Sequence, residues 1–367
     1  MFKKYPIIKW SLISLLALVA IVVGFGYWFI QLLPQKEAII NYEETQPADL
    51  AYLRSSVAED RGKILMVVTS TAEMGPEKKS TGYELTELAR PYYVFQANGF
   101  AVDIASPKGG EPPMVKDNDD MGPYDYAFLN DDQAKKKLRQ SLPIDEVLPE
   151  DYEAVFFVGG KGAMFDFPEN PSIQALVANR YENNKVIGAV CHGPAALVNV
   201  TLSDGSLLVA GKSVSSFTNE EELFLIPDAL EIFPFLLEDQ LSAQGGLVKK
   251  GDLYLQQVSV DGRLVTGQNP WSTWLTAESM IRQMGYSPID RTISDQENAV
   301  TLLQLYEKEG RAAAKDTLKN WLTEKDTSVD RFLLAQHCLV AGMQGKLGKM
   351  KDMLSLLRLA KKLSKQA

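Results

Sequence analysis

Cysteine and histidine are scarce in this chain of 367 residues, with two of each: Cys191, Cys338, His192 and His337. Two cysteines so far apart imply no disulfide framework. His337-Cys338 lies in an apolar stretch with no metal-ligand spacing nearby, so it reads as a core pair and no metal is expected. Basic charge is also short, with 38 Lys and Arg against 47 Asp and Glu and a net charge of -9. That deficit excludes a nucleic-acid partner, since no surplus exists to neutralise phosphates. The 46% of hydrophobic residues excludes disorder, and the length suits one large domain plus additions.

Charge is missing altogether from Trp10 to Leu33, "WSLISLLALVAIVVGFGYWFIQLL". Such a run can cross a bilayer core of about 30 Å. Lys3, Lys4 and Lys9 precede it, Lys36, Glu37, Glu43 and Glu44 follow, and Trp10, Tyr27 and Trp28 suit the interfaces. Residues 1–34 are therefore expected as a single-pass membrane anchor with a cytoplasmic N-terminus and an extracytoplasmic body. A cleaved signal peptide is the competing reading, but the run is long and no A-x-A-like site closes it. Residues 35–60, polar and containing Pro47, read as a linker.

The body, residues 61–288, alternates strand and helix patterns. "KILMVVTS" (63–70), "AVDIASP" (101–107), "AVFFVGG" (154–160) and "VIGAV" (186–190) are short apolar runs, as buried parallel strands are. Residues 81–99 read as a helix bent near Pro91, and 272–285 as a closing helix. Residues 253–267 suggest a hairpin turning at Asp261-Gly262, and "AALVNV" a helix after the fourth strand. The fold class is α/β: a mostly parallel sheet sandwiched by helices. Residues 289–367 carry helical spacing only, opened by a capping box at Ser294 and Glu297, and form an all-α extension. Its basic last helix reads as the solvated face of a packed helix.

"VIGAVCHGPAAL" (186–197) holds the one site with chemistry. In a doubly wound sheet ligands bind beyond the carboxyl ends of strands, where Cys191 falls. A helix beginning there would favour thiolate over thiol and aim backbone N–H groups at an oxyanion. Gly188, Gly193 and the sharp reversal fit a nucleophile elbow, with Pro194 in the first turn. The plain alternative is a buried thiol acting as a small hydrophobe.

"AVCHGPAAL" resembles the nucleophile elbow of the ThiJ/PfpI superfamily, the class I glutamine-amidotransferase-like proteins. Four more segments match in order: residues 69–110, "DYEAVFFVGGKGAMFDFPEN" (151–170), "GKSVSSFTNEEE" (211–222) and "DGRLVTGQNPWS" (261–272). The long insert at 109–147 resembles the glyoxalase III and heat-shock chaperone branch. The resemblance implies a flavodoxin-like fold and a cofactor-free reaction on a small aldehyde. It makes Cys191 the nucleophile, His192 its base, Glu222 the orienting acid and Glu87 the helix acid beside the thiol. Glu220 or Glu221 could replace Glu222 within "TNEEE". Gly160, Lys161 and Gly193 fall at oxyanion and substrate positions, with the backbones of Gly160 and His192 as oxyanion donors. Lys161 stands where this branch usually has histidine, and a lysine there would lower the thiol's pKa.

The implied reaction converts a 2-oxoaldehyde such as methylglyoxal to lactate through a hemithioacetal and an enediol. An amidase or peptidase using the same triad is a second expectation, and a membrane-tethered holdase or redox sensor a third. Glutaminase chemistry normally places its histidine well downstream of the cysteine, and the one later histidine is His337. A homodimer is an open expectation.

Overall fold

The computed structural model describes residues 6–34, 41–117, 120–325 and 327–364. They fall into two compact units, one of residues 41–292 and one combining the residues before 41 with those after 292.

The first element is α1 (Pro6–Ile30), long and apolar enough to span a membrane by length and composition. Its Leu15, Leu16, Leu18, Val19 and Val23 are at least half exposed. Lys3, Lys4, Lys36 and Glu37, on which the expected orientation rests, lie outside the described residues.

The 41–292 unit is built on seven strands: β1 (Lys63–Val67), β2 (Ala101–Ser106), β3 (Leu142–Pro143), β4 (Ala154–Phe157), β5 (Val186–Val190), β6 (Val258–Asp261) and β7 (Leu264–Gly267). The sheet order is β6-β7-β5-β4-β1-β2-β3, and every pairing is parallel except the β6–β7 hairpin. Strands β4, β5 and β7 are buried throughout, which is why β4 and β5 read as unbroken apolar runs. Side chains alternate across the sheet: Ile64 and Met66 join one core, Leu65 and Val67 the other. Helices α2 (Leu85–Ala97), α3 (Pro171–Glu182), α4 (Asn219–Leu225) and α5 (Thr273–Gln283) follow in chain order. α2 and α5 cover the first core, and α3 the second.

Three expectations change in detail. α2 starts at Leu85 rather than residue 81, because Tyr83 and Glu84 pair with Met114 and Val115 and Glu84 becomes the N-cap. Pro91 sits inside a continuous α2, where it removes the N–H that would bond the Glu87 carbonyl. The helix expected from "AALVNV" is a five-residue 3-10 turn, Gly193–Leu197. β-branched Val198 and Val200 flank Asn199, whose φ of 62° is incompatible with a right-handed helix.

Part of the expected linker is packed rather than loose. Leu50 and Tyr52 are buried, and Asn98 Nδ2 donates to the Tyr52 hydroxyl at 3.0 Å. Residues 35–40 of that linker lie outside the described residues.

The other unit adds α6 (Asp295–Glu324), α7 (Arg331–Met343) and α8 (Leu347–Leu363). Ser294 and Glu297 form the capping box, and Gly310, at φ 82°, divides α6 into two helices. Arg331 Nη1 donates to the Leu32 carbonyl at 3.3 Å, Lys361 Nζ donates to the Gln31 carbonyl, and Arg358 lies 4.4 Å above the Trp28 ring. These cations meet the carbonyl end of α1, where the last turn of a helix has acceptors to spare.

Candidate active site

Parallel pairing of β4, β5 and β7 brings their carboxyl ends side by side, with Phe157 opposite Ala189 and Val190 opposite Gly267. The loops leaving those strands carry Gly159 to Gly162, Cys191 and His192, and Gln268 and Asn269. Cys191 has φ 59°, a left-handed conformation that costs a non-glycine residue about 1–2 kcal/mol. Cys191 N–H to the Gly267 carbonyl at 3.0 Å and Phe217 N–H to the Cys191 carbonyl at 2.8 Å hold it there.

The strained turn folds neighbouring side chains together. Cys191 Sγ lies 3.3 Å from His192 Nδ1, and His192 Nε2 lies 2.6 Å from Glu222 Oε2. Assigned from this network, the imidazole carries its proton on Nε2 and donates it to Glu222, leaving Nδ1 to accept from the thiol. The ring packs on Phe217 with centroids 4.7 Å apart.

The three glutamates of "TNEEE" separate by role. Glu221 Oε1 accepts from Tyr254 N–H, Gln268 Nε2 and Asn269 Nδ2, each at 2.9 Å. Its Oε2 accepts from the backbone and hydroxyl of Thr218, both at 3.0 Å, closing the cap of α4. Glu221 thus ties together the segments around the triad, while its neighbour Glu222 faces His192.

Glu87 is fully buried on the other side of the thiol. A Cβ on Gly159 would come 2.1 Å from Glu87 Oε2 and 2.8 Å from Cys191 Cβ, so glycine is required between them. Burial, reinforced by the Glu84 carboxylate, holds the Glu87 carboxyl well above the usual range. It interacts with the Cys191 sulfur, yet neither of its oxygens has a partner at full hydrogen-bond geometry. Burial also pushes the Cys191 thiol up, with the carboxyl groups of Glu87, Glu221 and Glu222 adding to it. This reverses the expectation that a helix start and Lys161 would lower it. A five-residue turn has little dipole, and the main influences on the thiol are burial and carboxyl groups. A protonated Glu87 does not repel a thiolate and can donate to one.

Gly193 lies against β4, where a Cβ would meet the Phe157 carbonyl at 2.3 Å. Gly160 has φ 103°. Among the described residues, the N–H groups of Gly160 and His192 donate to no backbone acceptor, which leaves two donors open on the loops that carry the site. Lys161 is partly exposed, and its charge acts on Glu84.

Glu84 had escaped notice in the sequence. It is partly buried, and burial with the Asp117 carboxylate pushes its carboxyl up to about 8. No local pattern marks it, because its setting depends on residues 33 and 77 positions downstream. Among the described residues no group of three His, Cys, Asp or Glu side chains is placed to hold a metal. A separate cavity of about 580 Å³ is lined by Tyr181, Lys212, Asp261 and Arg263. Its cations are already engaged, Lys212 with Asp261 and Arg263 with Asn184.

A cysteine on a strained turn at the carboxyl edge of a doubly wound sheet stands in line with a histidine and a glutamate, the geometry of a strand-to-turn elbow. Residues 79–283 match the DJ-1/PfpI family, and the chain belongs to that family. It is 29% identical over 237 residues to glutathione-independent glyoxalase hsp3102 of Schizosaccharomyces pombe, covering 62% of this chain and 98% of the relative. The crystal structure of Francisella tularensis Rapid Encystment Protein 24 KDa superposes with a TM-score of 0.58 at 35% identity, over 61% of this chain and 99% of that one. The crystal structure of glyoxalase III from Candida albicans gives 0.53 at 26% identity, over 60% and 97%.

Proposed function

We propose that this chain is a glutathione-independent glyoxalase that converts a 2-oxoaldehyde such as methylglyoxal to a 2-hydroxy acid, with Cys191 as nucleophile. The observation that carries the reading is the Cys191–His192–Glu222 chain, 3.3 and 2.6 Å long, beside the buried acid Glu87. His192 Nδ1 takes the S–H proton as sulfur adds to the aldehyde carbon and then passes it to the alkoxide oxygen, giving a hemithioacetal and a neutral imidazole. Gly160 and His192 N–H groups meet the charge on its oxygen. Glu222 keeps the imidazole in the tautomer this step needs.

Protonated Glu87 then donates to the C2 oxygen while His192 removes the C1 proton, forming an enediol. The proton returns at C2, and Glu87 recovers one from the C1 hydroxyl, leaving a 2-hydroxy thioester on Cys191. Water cleaves the thioester to lactate and thiol. Dicarbonyl and water account for every atom of the product, so no oxidant or cofactor enters. The naming of the relatives as glyoxalases favours this over amidase chemistry. A redox sensor needs an accessible, low-pKa thiol, whereas Cys191 is 5% exposed and pushed up. Full-length protein in detergent, given methylglyoxal without glutathione, is expected to form lactate; methylglyoxal left unconsumed would end the reading.

α1 is proposed as a single-pass anchor with its N-terminus cytoplasmic. Its support is the charge-free run and the exposed leucines and valines. A chain lacking residues 6–34 is expected in the soluble fraction of fractionated cells, and its retention on membranes would count against the anchor.

A further inference from the structure

The loop after β4 reads Gly159-Gly160-Lys161-Gly162, and three of its four residues are glycine by steric necessity. A Cβ at 159 strikes Glu87, at 160 the Gly82 carbonyl at 2.4 Å, and at 162 Thr69 Cγ2 at 2.7 Å. Residue 161 is the single position from which this loop can offer a side chain, two residues beyond the glycine that packs against Cys191. Glu84 N–H donates to the Gly159 carbonyl at 3.2 Å, so the Glu84 side chain starts from the same place.

The Lys161 ammonium is unpaired, and the Glu84 carboxyl, which accepts from the Asp117 backbone, keeps one oxygen open. The Lys161 ammonium makes no hydrogen bond or ion pair among the described residues. Glu84 Oε1 is buried without a partner. Burial and the Asp117 and Asp120 carboxylates keep Glu84 protonated near neutrality, so it leaves the Lys161 charge uncancelled. Asp117 and Asp120 have partners of their own. An open cation in a chain of net charge -9 needs a reason, and neutral methylglyoxal offers an ammonium nothing to pair with.

We propose that Lys161 and Glu84 form an anion subsite at the mouth of the Cys191 pocket, and that the preferred substrate is a 2-oxoaldehyde carrying a carboxylate. An ammonium and a carboxyl O–H are two donors that match the two oxygens of one carboxylate. The dicarbonyl end reaches Cys191 while the carboxylate stays at the mouth. The proposal rests on the glyoxalase reading for its chemistry, but the subsite can be probed without turnover.

The test compares 4,5-dioxopentanoate with neutral 2-oxopentanal, using full-length protein in detergent. The wild type is expected to favour the anionic substrate in kcat/KM by about tenfold, the value of one charge-assisted contact. Lys161→Gln should collapse that ratio through KM, and Lys161→Arg should restore it. General damage to the site would lower both substrates and leave the ratio standing, which would overturn the subsite. In a second measurement, 4-oxopentanoate should slow alkylation of Cys191 by iodoacetamide in the wild type and not in Lys161→Gln. Protection with no turnover would retire the glyoxalase reading and keep the subsite. Turnover with no protection and no preference would do the reverse.

Discussion

The chain places a cysteine beside a histidine twice, and only one pair can work together. At Cys191, φ 59° turns the thiol and the next imidazole toward each other, and Glu222 completes the line. His337 and Cys338 lie within α7, where successive side chains diverge by about 100° around the axis. There the thiol donates to the Met350 carbonyl at 3.6 Å instead. Burial and the nearby Lys349 lower His337 to about 4, and burial pushes Cys338 up to about 11. Adjacency in sequence is therefore no evidence of a dyad; the backbone conformation between the two residues decides it.

Exchange of the thiols gives the largest contrast. Cys191→Ala should cost about 1,000-fold or more in lactate formation, as loss of a covalent nucleophile does, whereas Cys338→Ala should stay within about twofold. Equal losses would dissolve the distinction. Within the active region, Glu222→Gln should lower kcat about 100-fold with little change in melting temperature, since it acts on the imidazole. Glu221→Ala should instead destabilise the fold by about 3 kcal/mol, because it strands several buried donors. A swap of those two outcomes in steady-state kinetics and thermal melts would show that the register of "TNEEE" is assigned wrongly.

The smallest effect is a difference in sign with pH. Glu84 titrates at about 8 in the fold against 4.5 unfolded. Its stabilising contribution is complete below 4.5 and lost as pH rises through 8. His337 runs the other way, at about 4 in the fold against 6.5 unfolded. Its contribution is complete above 6.5 and lost as pH falls through 4, by at most about 3 kcal/mol. Urea melts of His337→Phe and Glu84→Gln against the wild type should therefore lose pH slopes of opposite sign, a rise in stability between about 4 and 6.5 for the first and a fall between 4.5 and about 8 for the second. Slopes of the same sign would refute the assignments.

Much of this was readable from residues alone. Short apolar runs located β1, β2, β4 and β5, because strands buried on both faces are largely apolar. The five motifs pointed to Cys191, His192 and Glu87. What escaped depends on contacts between distant segments. β3 is two residues long, and its pairing with β2 leaves no periodicity. Leu50 and Tyr52 look like linker until Asn98 supplies a partner. One signal was available and unused: Thr218-x-x-Glu221 is a capping box, which commits Glu221 to the cap and leaves Glu222 for the histidine.

The cationic clasp on the end of α1 has a consequence for the order of events during synthesis. The partners of Gln31 and Leu32 are Lys361 and Arg331, separated from them by 330 and 299 residues. A chain emerging from the ribosome completes residues 41–292 before those partners exist, so that region can fold while the first helix still waits. A ribosome-stalled chain ending after residue 292 should carry a folded, reactive Cys191 pocket and an unclasped α1. The last helices to be made would then finish a structure begun by the first.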